Sequence, residues 1–464
     1  MAQLVCSEKF MTKKIFAIWN GLSPAWRFAF SGYFFTRVAL TLWSLTIYSI
    51  FPIAIQNLDL FGEPILSAFV LRTSEGYVYS RQVNENVLSF HVADSNHVTD
   101  DRTGSIWSLP NGQAVQGKYS GSLLQASTYS VEEIFPYLGV EPTNNINLTL
   151  WQRFDVNWYI KIATSGYSNN DGSTVYFPLY PMLIRFLALL MNPMLAATLI
   201  SNLALIGALG LLYSLATTWT DDTIAQRTGI YFLLFPTAFF LTIPYTESLF
   251  LFFVLASLLS ASRGRWGWAV LLASLSALTR LQGVLLIIPL AYMSWREMRN
   301  FSLKVKILRT AFLLVIPLAT ISFLAFTNLS LLSTYQRTLN ARFVLPWDNI
   351  LASFSLLLGG KGSVVDALNL VFTLGLIFIM FAVWKQLPTE IFLYSLLMLA
   401  APMFRMTTSQ PLVSMMRYGL AIFPIFIILS IWGKNEWINR TIIYLSLLLQ
   451  LYLSAQFILW GWVG

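Results

Sequence analysis

Charged residues are scarce in this sequence. Only 11% of its 464 residues are Asp, Glu, Lys or Arg, whereas 56% are hydrophobic. Soluble domains carry about 25% charged residues, so a water-soluble fold of this length would lack the charges to cover its surface. Apolar runs recur from Phe28 onward, and many are long enough to cross a hydrocarbon core about 30 Å thick. The sequence therefore predicts an all-α polytopic membrane protein.

Cysteine and histidine are almost missing. Cys6 is the single cysteine, which excludes an intrachain disulfide. The two histidines, His91 and His97, lie in one polar segment, so a zinc site built from Cys and His is not expected. We expect no bound metal ion and no cofactor.

The formal charge of +8 comes from basic residues that cluster in short links between apolar runs. This is the positive-inside pattern, which orients helices in a membrane, and it argues against a nucleic-acid partner. It puts the N-terminus in the cytoplasm and indicates a retained signal anchor over residues 28–51. The clusters are Lys9, Lys13, Lys14 and Arg27; Arg263 and Arg265; and Arg296, Arg299, Lys304, Lys306 and Arg309.

The distribution of polar residues divides the chain into three regions. Residues 1–54 hold the cytoplasmic N-terminus and the first transmembrane helix. Residues 55–150 form a polar insertion with ten carboxylates against four Lys or Arg, a balance that suits the outer side of a membrane. Residues 151–464 form a transmembrane bundle, and its first part, 151–191, is a loop at the outer interface with a short or re-entrant helix at 177–191.

The insertion is predicted to be rich in β-structure. Segments 66–72, 77–83 and 87–92 have the composition of strands, and Pro110-Asn111-Gly112 marks a turn. We expect a small β-lobe on the outer face.

Apolar runs predict about eleven transmembrane helices, with a range of nine to thirteen. One run, 266–295, lies between two basic links that must share the cytoplasmic side. A break at Thr279-Arg280-Leu281-Gln282-Gly283 would satisfy this requirement by joining two shortened helices near the outer side. The other predicted helices cover 28–54, 194–217, 228–243, 246–262, 310–330, 363–385, 390–404, 416–432 and 441–461.

The most informative polar residue is Asp155, where the outer loop returns to the membrane. It is flanked by Arg153, Trp158 and Tyr159, and such aromatics are typical of the membrane interface. A partly desolvated carboxylate suits general-base work. A structural ion pair between Asp155 and Arg153 is the alternative.

Two further segments carry candidate residues. Pro178 and Pro181 predict a kinked or extended entry into the membrane that would lay Tyr176 and Tyr180 along a groove for a sugar or an isoprenoid; a simple helix start is the alternative. Glu247, which follows Tyr245 and Thr246, is a functional candidate because a carboxylate at membrane depth is unfavourable without a partner. The alternative there is a helix N-cap formed by Thr246 or Ser248.

Several arginines are predicted near the outer side, and their guanidinium groups could bind a phosphate in bidentate fashion. Arg280 is the clearest because it interrupts an apolar stretch, although snorkelling to the interface could explain any single one. The set is Arg280, Arg337, Arg342, Arg405 and Arg417.

A base at the outer face must come from a few carboxylates of the bundle or from the insertion. With no histidine in the bundle, the carboxylates predicted on that side outside the insertion are Asp155, Asp171, Glu247, Asp348 and Asp366. Asp155 has the most enclosed setting.

Five motifs between about residues 150 and 425 resemble, in order, those of the PIG-V-type mannosyltransferases. That family comprises the enzyme that adds the second mannose of the GPI anchor and its bacterial relatives. The motifs are Trp151, Arg153, Asp155, Trp158, Tyr159, Gly166 and Tyr167 with Phe177 to Pro181; Phe235, Pro236, Phe239 and Phe240; Pro244 to Ser248; Thr279, Arg280 and Gly283; and Arg417, Tyr418, Phe423 and Pro424.

The resemblance implies a GT-C-like helical bundle and a polyprenyl- or dolichyl-phosphate sugar as donor. It implies Asp155 as the base of an inverting transfer to an acceptor hydroxyl, Glu247 as a second active-site acid, and Arg280 and Arg417 near the lipid phosphate. The full set of expected substrate-binding residues is Arg153, Trp158, Tyr159, Tyr176, Tyr180, Tyr245, Arg280, Arg405, Arg417 and Tyr418.

The chain departs from the family pattern in two places. Phe154 stands where the family usually has Trp, and the insertion is larger than expected, which leaves the acceptor open among a glycan, a glycolipid and a protein. The closest motif matches are bacterial, which favours a prokaryotic plasma membrane over the endoplasmic reticulum. The alternatives to a transferase are a transporter or flippase for lipid-linked saccharides and a non-catalytic membrane assembly subunit.

Overall fold

A computed structural model describes residues 19–60, 62–135, 140–168, 171–298, 301–328, 341–407 and 410–463. Lys9, Lys13, Lys14, Cys6, Arg299 and Arg337 lie outside these ranges. The described chain is mostly helical, with a small β region near its start.

The β region follows the first helix, α1 (Pro24–Ile50). A three-stranded antiparallel sheet is formed by β1 (Ile53–Leu60), β2 (Glu63–Val70) and β3 (Glu75–Ser80). A short hairpin joins β4 (Gln82–Val83) to β5 (Asn86–Val87), and a four-stranded antiparallel sheet contains β6 (Phe90–Val92), β7 (His97–Asp100), β8 (Ile106–Ser108) and β9 (Ala114–Gln116). We call β1 to β9 the β-lobe.

The first helix ends earlier than predicted, and β1 was not predicted. Pro52 stops α1 because it disfavours the helical conformation of the preceding residue, Phe51. The segment that follows pairs with β2 from Ile53 opposite Val70 to Leu60 opposite Glu63. The prediction that the first span reaches residue 54 is therefore wrong.

Short helices lead from the lobe to the bundle. They are α2 (Val131–Ile134), α3 (Ile146–Thr149), α4 (Asp155–Ser165) and α5 (Leu179–Leu187), with a 3₁₀ turn at Ser173–Val175. The bundle then runs through α6 (Pro193–Ala216), α7 (Asp222–Leu234), α8 (Glu247–Ser262), α9 (Trp266–Thr279), α10 (Ile287–Glu297), α11 (Leu303–Leu313), α12 (Val315–Phe326), α13 (Pro346–Leu358), α14 (Val364–Gln386), α15 (Thr389–Met403), α16 (Met415–Gly419), α17 (Pro424–Trp432) and α18 (Glu436–Ile458). A two-stranded sheet pairs β10 (Ala341–Phe343) with β11 (Arg405–Thr407).

The predicted break in 266–295 is present. Helix α9 ends at Thr279, Arg280 is extended (φ −150°, ψ 145°), and a 3₁₀ helix, Leu281–Leu286, leads into α10. The indole of Trp266 donates to a Glu297 carboxylate oxygen (2.7 Å), so the two basic links lie at one end of the bundle. Arg280 lies at the other end.

Two further predicted helices end or divide at prolines, and one observed helix was not predicted. The predicted helix at 228–243 ends at Leu234, two residues before Pro236, and a 3₁₀ helix (Ala238–Leu241) replaces its second half. The prediction at 416–432 is divided before Pro424. Helix α13 was not predicted, and it leaves Leu351, Phe354 and other apolar side chains exposed.

Four helices of the described chain are long and apolar enough to cross a membrane. The shorter apolar helices α8, α9 and α15 accompany them. This supports an integral membrane protein, whereas the number of about eleven spans stays a prediction. The four are α6 (Pro193–Ala216), α11 and α12 taken together (Leu303–Phe326), α14 (Val364–Gln386) and α18 (Glu436–Ile458).

Asp100 organises the second half of the β-lobe. Its buried carboxylate accepts hydrogen bonds from the backbone and hydroxyl of Thr103, from the backbone of Ser105 and from the indole of Trp107. Burial alone would raise the pKa of Asp100, but these hydrogen bonds hold the pKa below its usual range.

We expect Asp100→Ala to lower the free energy of unfolding of the β-lobe by about 2–3 kcal/mol, because it leaves buried donors unpaired. The contribution is present above the unfolded-chain pKa of about 3.9 and is lost as the pH falls through the lower folded-state pKa. Limited proteolysis of the purified full chain at neutral pH measures the loss of stability, with Asp101→Ala as the control at an exposed position. Equal cleavage of the two variants would contradict this role.

Candidate active site

The loop that returns from the β-lobe makes a strained turn immediately before Asp155. Phe154 has φ 49° and ψ −121°, a conformation that side-chain-bearing residues rarely adopt. Its buried ring holds the turn in place by packing against Phe457, Trp460 and Trp462, with centroid distances of 5.5, 5.1 and 5.0 Å. Asp155 then begins α4.

The Asp155 carboxylate is held by a tyrosine and an arginine. Tyr176 Oη donates to Oδ1 (3.0 Å), and Arg417 Nη1 donates to Oδ2 (3.2 Å). The side chain of Asp155 is 14% exposed. Arg153 is not its partner, so the predicted alternative of an Asp155–Arg153 pair is wrong.

Aromatic rings fix Tyr176 in place. Its ring stacks on Trp158 (5.6 Å between centroids) and meets Tyr159 edge-on (5.2 Å). Tyr159 also packs edge-on against Tyr180 (5.0 Å), whose hydroxyl is hydrogen-bonded to Ser201 Oγ (2.7 Å). Tyr159 and Tyr176 reach the cavity described below, whereas Trp158 and Tyr180 support them from behind.

A second carboxylate joins two arginines. Glu247 Oε1 lies 2.6 Å from Arg280 Nη1 and 3.6 Å from Arg417 Nε. Arg417 therefore bridges Glu247 and Asp155, and we call Asp155, Arg417, Glu247 and Arg280 the charge network. Thr246, at the N-cap position of α8, makes no side-chain cap hydrogen bond, so the simple capping alternative for this segment is not observed.

The helix break positions Arg280 in this network. Its extended backbone turns the side chain away from the direction of α9 and toward α8. Gly283 makes the tight turn possible, because a Cβ atom at this position would lie 2.4 Å from the backbone nitrogen of Ala277.

Tyr418 lies among three guanidinium groups. The Cζ atoms of Arg280, Arg405 and Arg417 are 5.5, 5.9 and 5.9 Å from the centre of its ring. Tyr245, which is fully buried, lies under Arg417 on another side (5.6 Å). These contacts are within the range of cation–π attraction, so the rings stabilise a concentration of positive charge.

These residues surround one cavity of about 360 Å³, which we call the catalytic cavity. Asp155 is on its wall together with Arg280, Arg405 and Arg417, whereas Glu247 lies behind the arginines and lines only a small adjoining space. The other lining residues are Tyr159, Val175, Tyr176, Phe177, Thr246, Thr279, Leu281, Gln282, Thr407, Gln410, Val413, Ser414, Tyr418 and Trp462.

Arg153 occupies a different place from the one predicted. Its side chain is completely buried, donates to the carbonyl oxygens of Ile458 (3.2 Å) and Thr149 (2.9 Å), and stacks over Phe69 (4.9 Å) and Trp460 (5.4 Å). It does not line the catalytic cavity, so a direct contact with substrate there disagrees with its position. Arg153 connects the β-lobe to the end of α18.

The other candidate residues lie apart from the cavity. Arg342 is exposed on β10, and Asp348 is exposed at the start of α13. Asp171 pairs with Lys161 (3.1 Å), and Asp366 closes a capping box with Ser363. Among the described residues, no group of three or more His, Cys, Asp or Glu is placed to hold a metal ion.

Trp462 is the clearest site residue that the sequence did not reveal. It follows the last helix, more than 300 positions after Asp155, and nothing in its local sequence marks it as more than an interfacial aromatic. Gln282 and Gln410 were also missed, although Gln282 lies within the predicted helix break.

A family model described as "Mannosyltransferase (PIG-V)" matches residues 136–346. The match includes Asp155, Glu247 and Arg280 but ends before Arg405 and Arg417. No curated protein sequence and no solved structure matches the chain.

The positive φ of Phe154 predicts that a glycine variant at this position is more stable than an alanine variant, the reverse of the order within a helix. Phe154→Gly should be more stable than Phe154→Ala by about 1 kcal/mol, because glycine adopts this backbone conformation without strain. Thermal unfolding of the purified variants in one detergent measures the difference.

Phe457 is the matched control, since it belongs to the same aromatic cluster but lies inside α18. There the usual order applies, and Phe457→Ala should be the more stable variant by about 0.5–1 kcal/mol. If alanine were also preferred at position 154, the strained turn would be refuted.

Proposed function

We propose that this chain, which belongs to the PIG-V-type mannosyltransferase family through residues 136–346, transfers mannose from a polyprenyl-phosphate carrier to an acceptor hydroxyl. The family supports a mannosyltransferase type of glycosyltransferase. The carrier, the inverting course and the outer face of a prokaryotic plasma membrane are our extensions. The observation that carries the proposed reaction is that Asp155 and three guanidinium groups line one cavity.

Asp155 is the base in this mechanism. Each carboxylate oxygen has two acceptor positions, so the bonds from Tyr176 and Arg417 leave room for an acceptor hydroxyl. As the proton moves to Asp155, the acceptor oxygen forms its bond to the anomeric carbon from the face opposite the carrier. The bond between that carbon and the phosphate oxygen breaks with inversion, as in inverting hydrolases.

The arginines receive the leaving group. The electron pair of the broken bond stays on the phosphate oxygen, where Arg280, Arg405 and Arg417 can stabilise the developing charge. Guanidinium groups suit this role because they remain charged and donate two hydrogen bonds to one phosphate.

Glu247 has a positioning role in this proposal. It lies behind Arg280 and Arg417, so it orients the two guanidinium groups without facing the catalytic cavity. This differs from the acid role implied by the family resemblance. In this proposal Asp155 contacts the substrate, whereas Glu247 contacts only the arginines.

A transporter for lipid-linked saccharides remains the second candidate, because it would use the same arginines. It would have to open the site at both ends of the bundle, whereas the charge network lies at the end opposite the basic links. Transport would also leave the substrate chemically unchanged, so product analysis separates the two functions.

Asp155→Asn should reduce kcat by about 10²–10⁴-fold, because the amide cannot accept the proton. The assay incubates purified protein with labelled polyprenyl-phosphate mannose and glycan, glycolipid or peptide acceptors. Asp171→Asn is the control, since Asp171 follows α4 and pairs with Lys161. Substantial turnover by the Asp155 variant would reject the assignment.

Arg405→Met should weaken use of the donor by about 10- to 100-fold in kcat/KM, the equivalent of a charged hydrogen bond worth about 1.5–3 kcal/mol. Arg342→Met is the control, because Arg342 lies on the neighbouring strand and is exposed away from the cavity. The same loss in both variants would show that general surface charge, and not the cavity, binds the phosphate.

A further inference from the structure

Helix α13 exposes large apolar side chains, whereas a helix on the surface of a soluble domain turns such residues toward the core. Four of them follow the spacing i, i+4, i+7 and i+11, and each has 41–88% of its surface exposed. A helix turns by about 100° per residue, so the four lie within about 60° of one another on one face. We call them the apolar face of α13: Trp347, Leu351, Phe354 and Leu358.

The opposite face of α13 carries two polar residues that are completely buried. Asn349 and Ser353 lie about 200° and 240° from Trp347 around the helix axis, and both are 0% exposed. Two exposed polar residues, Asp348 and Ser355, lie beside the apolar face, about 80–100° from Trp347. The helix therefore has an exposed apolar face, a polar edge next to it, and a buried polar face toward the bundle.

Membrane lipid is the partner that fits this arrangement. A helix that lies in a membrane interface buries one apolar face in lipid and keeps a polar edge in water. Trp347, at the start of the apolar face, is of a residue type enriched at such interfaces. With 13 residues, α13 is too short to cross the hydrocarbon core, so it would lie in the plane of the interface.

The helices on either side of α13 in the sequence also have surfaces that suit lipid. The preceding candidate span is Leu303–Phe326, and the following one, α14, packs against α13. Only 22% of the apolar window of the first span and 33% of that of the second are buried inside the protein, so both leave most of their apolar surface for lipid. The apolar face of α13 is therefore continuous along the chain with the membrane-facing surface of the bundle.

The buried face of α13 holds part of the wall of the catalytic cavity. Asn349 Nδ2 donates to the carbonyl oxygens of Met403 (3.1 Å) and Arg405 (2.8 Å), and Asn349 Oδ1 accepts from the backbone N–H of Leu412 (2.8 Å). One side chain thus joins two stretches of chain, residues 403–407 and 410–414, which we call the cavity segment. Its residues on the lining of the catalytic cavity are Arg405, Thr407, Gln410, Val413 and Ser414.

The cavity segment needs such support because its backbone is strained. Leu412 and Ser414 have φ of 53° and 66°, values that residues with side chains rarely adopt. Strained conformations persist where surrounding contacts hold them, and the hydrogen bond from Leu412 to Asn349 is a contact of this kind.

We propose that membrane lipid covers the apolar face of α13, and that α13 acts through Asn349 to hold Arg405 in the catalytic cavity. The inference rests on the proposed function for the role of Arg405 in binding the carrier phosphate, but the contact with lipid does not require turnover. Asn349 is a positioning residue, because it contacts the cavity segment and not the substrate. Binding of the donor should then depend on the lipid contact of α13.

The lipid contact is tested with a fluorescent label on single cysteines. Cys6 is the single cysteine of the chain, so Cys6→Ser gives a background without thiols. In that background, Leu351→Cys carries a bimane label on the apolar face and Asp348→Cys carries it on the polar edge, and the full chain is placed in phosphatidylcholine nanodiscs. Doxyl-labelled phosphatidylcholine should quench the label at 351 more strongly, at a depth of about 5–10 Å, and aqueous iodide the label at 348. Equal quenching of the two labels, or stronger iodide quenching at 351, would overturn the proposal.

The link to Arg405 is tested with Asn349→Ala in the same nanodiscs. The variant should weaken binding of farnesyl phosphate, a short prenyl phosphate, and lower kcat/KM for the donor by about 10-fold, as expected for the loss of a hydrogen bond that orients a charged group. Ser353→Ala is the matched control, since Ser353 is buried on the same face one turn later and its hydroxyl has no hydrogen-bond partner among the described residues.

A double substitution separates positioning from general stability. In a chain that already carries Arg405→Met, Asn349→Ala should cause little further loss, because the guanidinium that it positions is gone. The full loss in both backgrounds, or no loss in either, would overturn the positioning role. Thermal unfolding verifies that each variant folds, and Asn349→Asp, which keeps the acceptor for Leu412, gives the same comparison if the alanine variant does not.

The dependence of the cavity on lipid is tested with a charge on the apolar face. Leu351→Glu should weaken binding of farnesyl phosphate toward the level of Asn349→Ala, because an ionised side chain is unfavourable in hydrocarbon and would move α13 out of the lipid. Ser355→Glu, on the polar edge, is the control and should bind as the unaltered chain does. Unchanged binding by the Leu351 variant would contradict the coupling. Failure of the catalytic proposal would look different, as lipid quenching and prenyl-phosphate binding without transfer by the unaltered chain.

Discussion

The structure depends on keeping four charged side chains together inside an apolar bundle. Removing a charge from water is unfavourable unless an opposite charge lies beside it. Here Arg417 links Asp155 to Glu247, and Arg280 pairs with the same Glu247 oxygen, Oε1. The network accounts for the local backbone. Helix α9 stops so that Arg280 can turn toward α8, and the strained turn at Phe154 brings Asp155 to the first position of α4.

The residues after α18 are part of the same arrangement. Trp460 and Trp462 hold the ring of Phe154 between them, and Arg153 fixes the end of the helix through the carbonyl of Ile458. Because Arg153 also lies over Phe69 of the β-lobe, the lobe, the strained turn and the last helix are packed as a unit. A disturbance of any of these contacts would reach Asp155, although none of the residues involved except Trp462 touches the catalytic cavity.

The helix break, Asp155 and Glu247 could be predicted because each stands out from its immediate sequence neighbours. A single arginine in an apolar run between two basic links revealed the helix break, and the polar residues beside aromatic and proline motifs marked Asp155 and Glu247. Strand β1 was missed because its apolar start, Ile53 to Ile55, continues the apolar run of the first helix. Helix α13 was missed because its 13 residues are too few for a membrane-spanning run. The role of Arg153 could not be predicted either, since its partners Phe69 and Ile458 are distant in sequence.

The position of Asp155 follows from the geometry of α4. A helix that begins at an active-site carboxylate presents its next residues to different surroundings, so Asp155 meets the arginines while Asn157, about 200° further round the helix, faces away from them. The positive charge of Arg280, Arg405 and Arg417 suits a phosphate, and Asp155 is the one carboxylate on the described lining of the same cavity. The two requirements of the proposed transfer, a base for the acceptor and cations for the leaving group, therefore meet at the first turn of this helix.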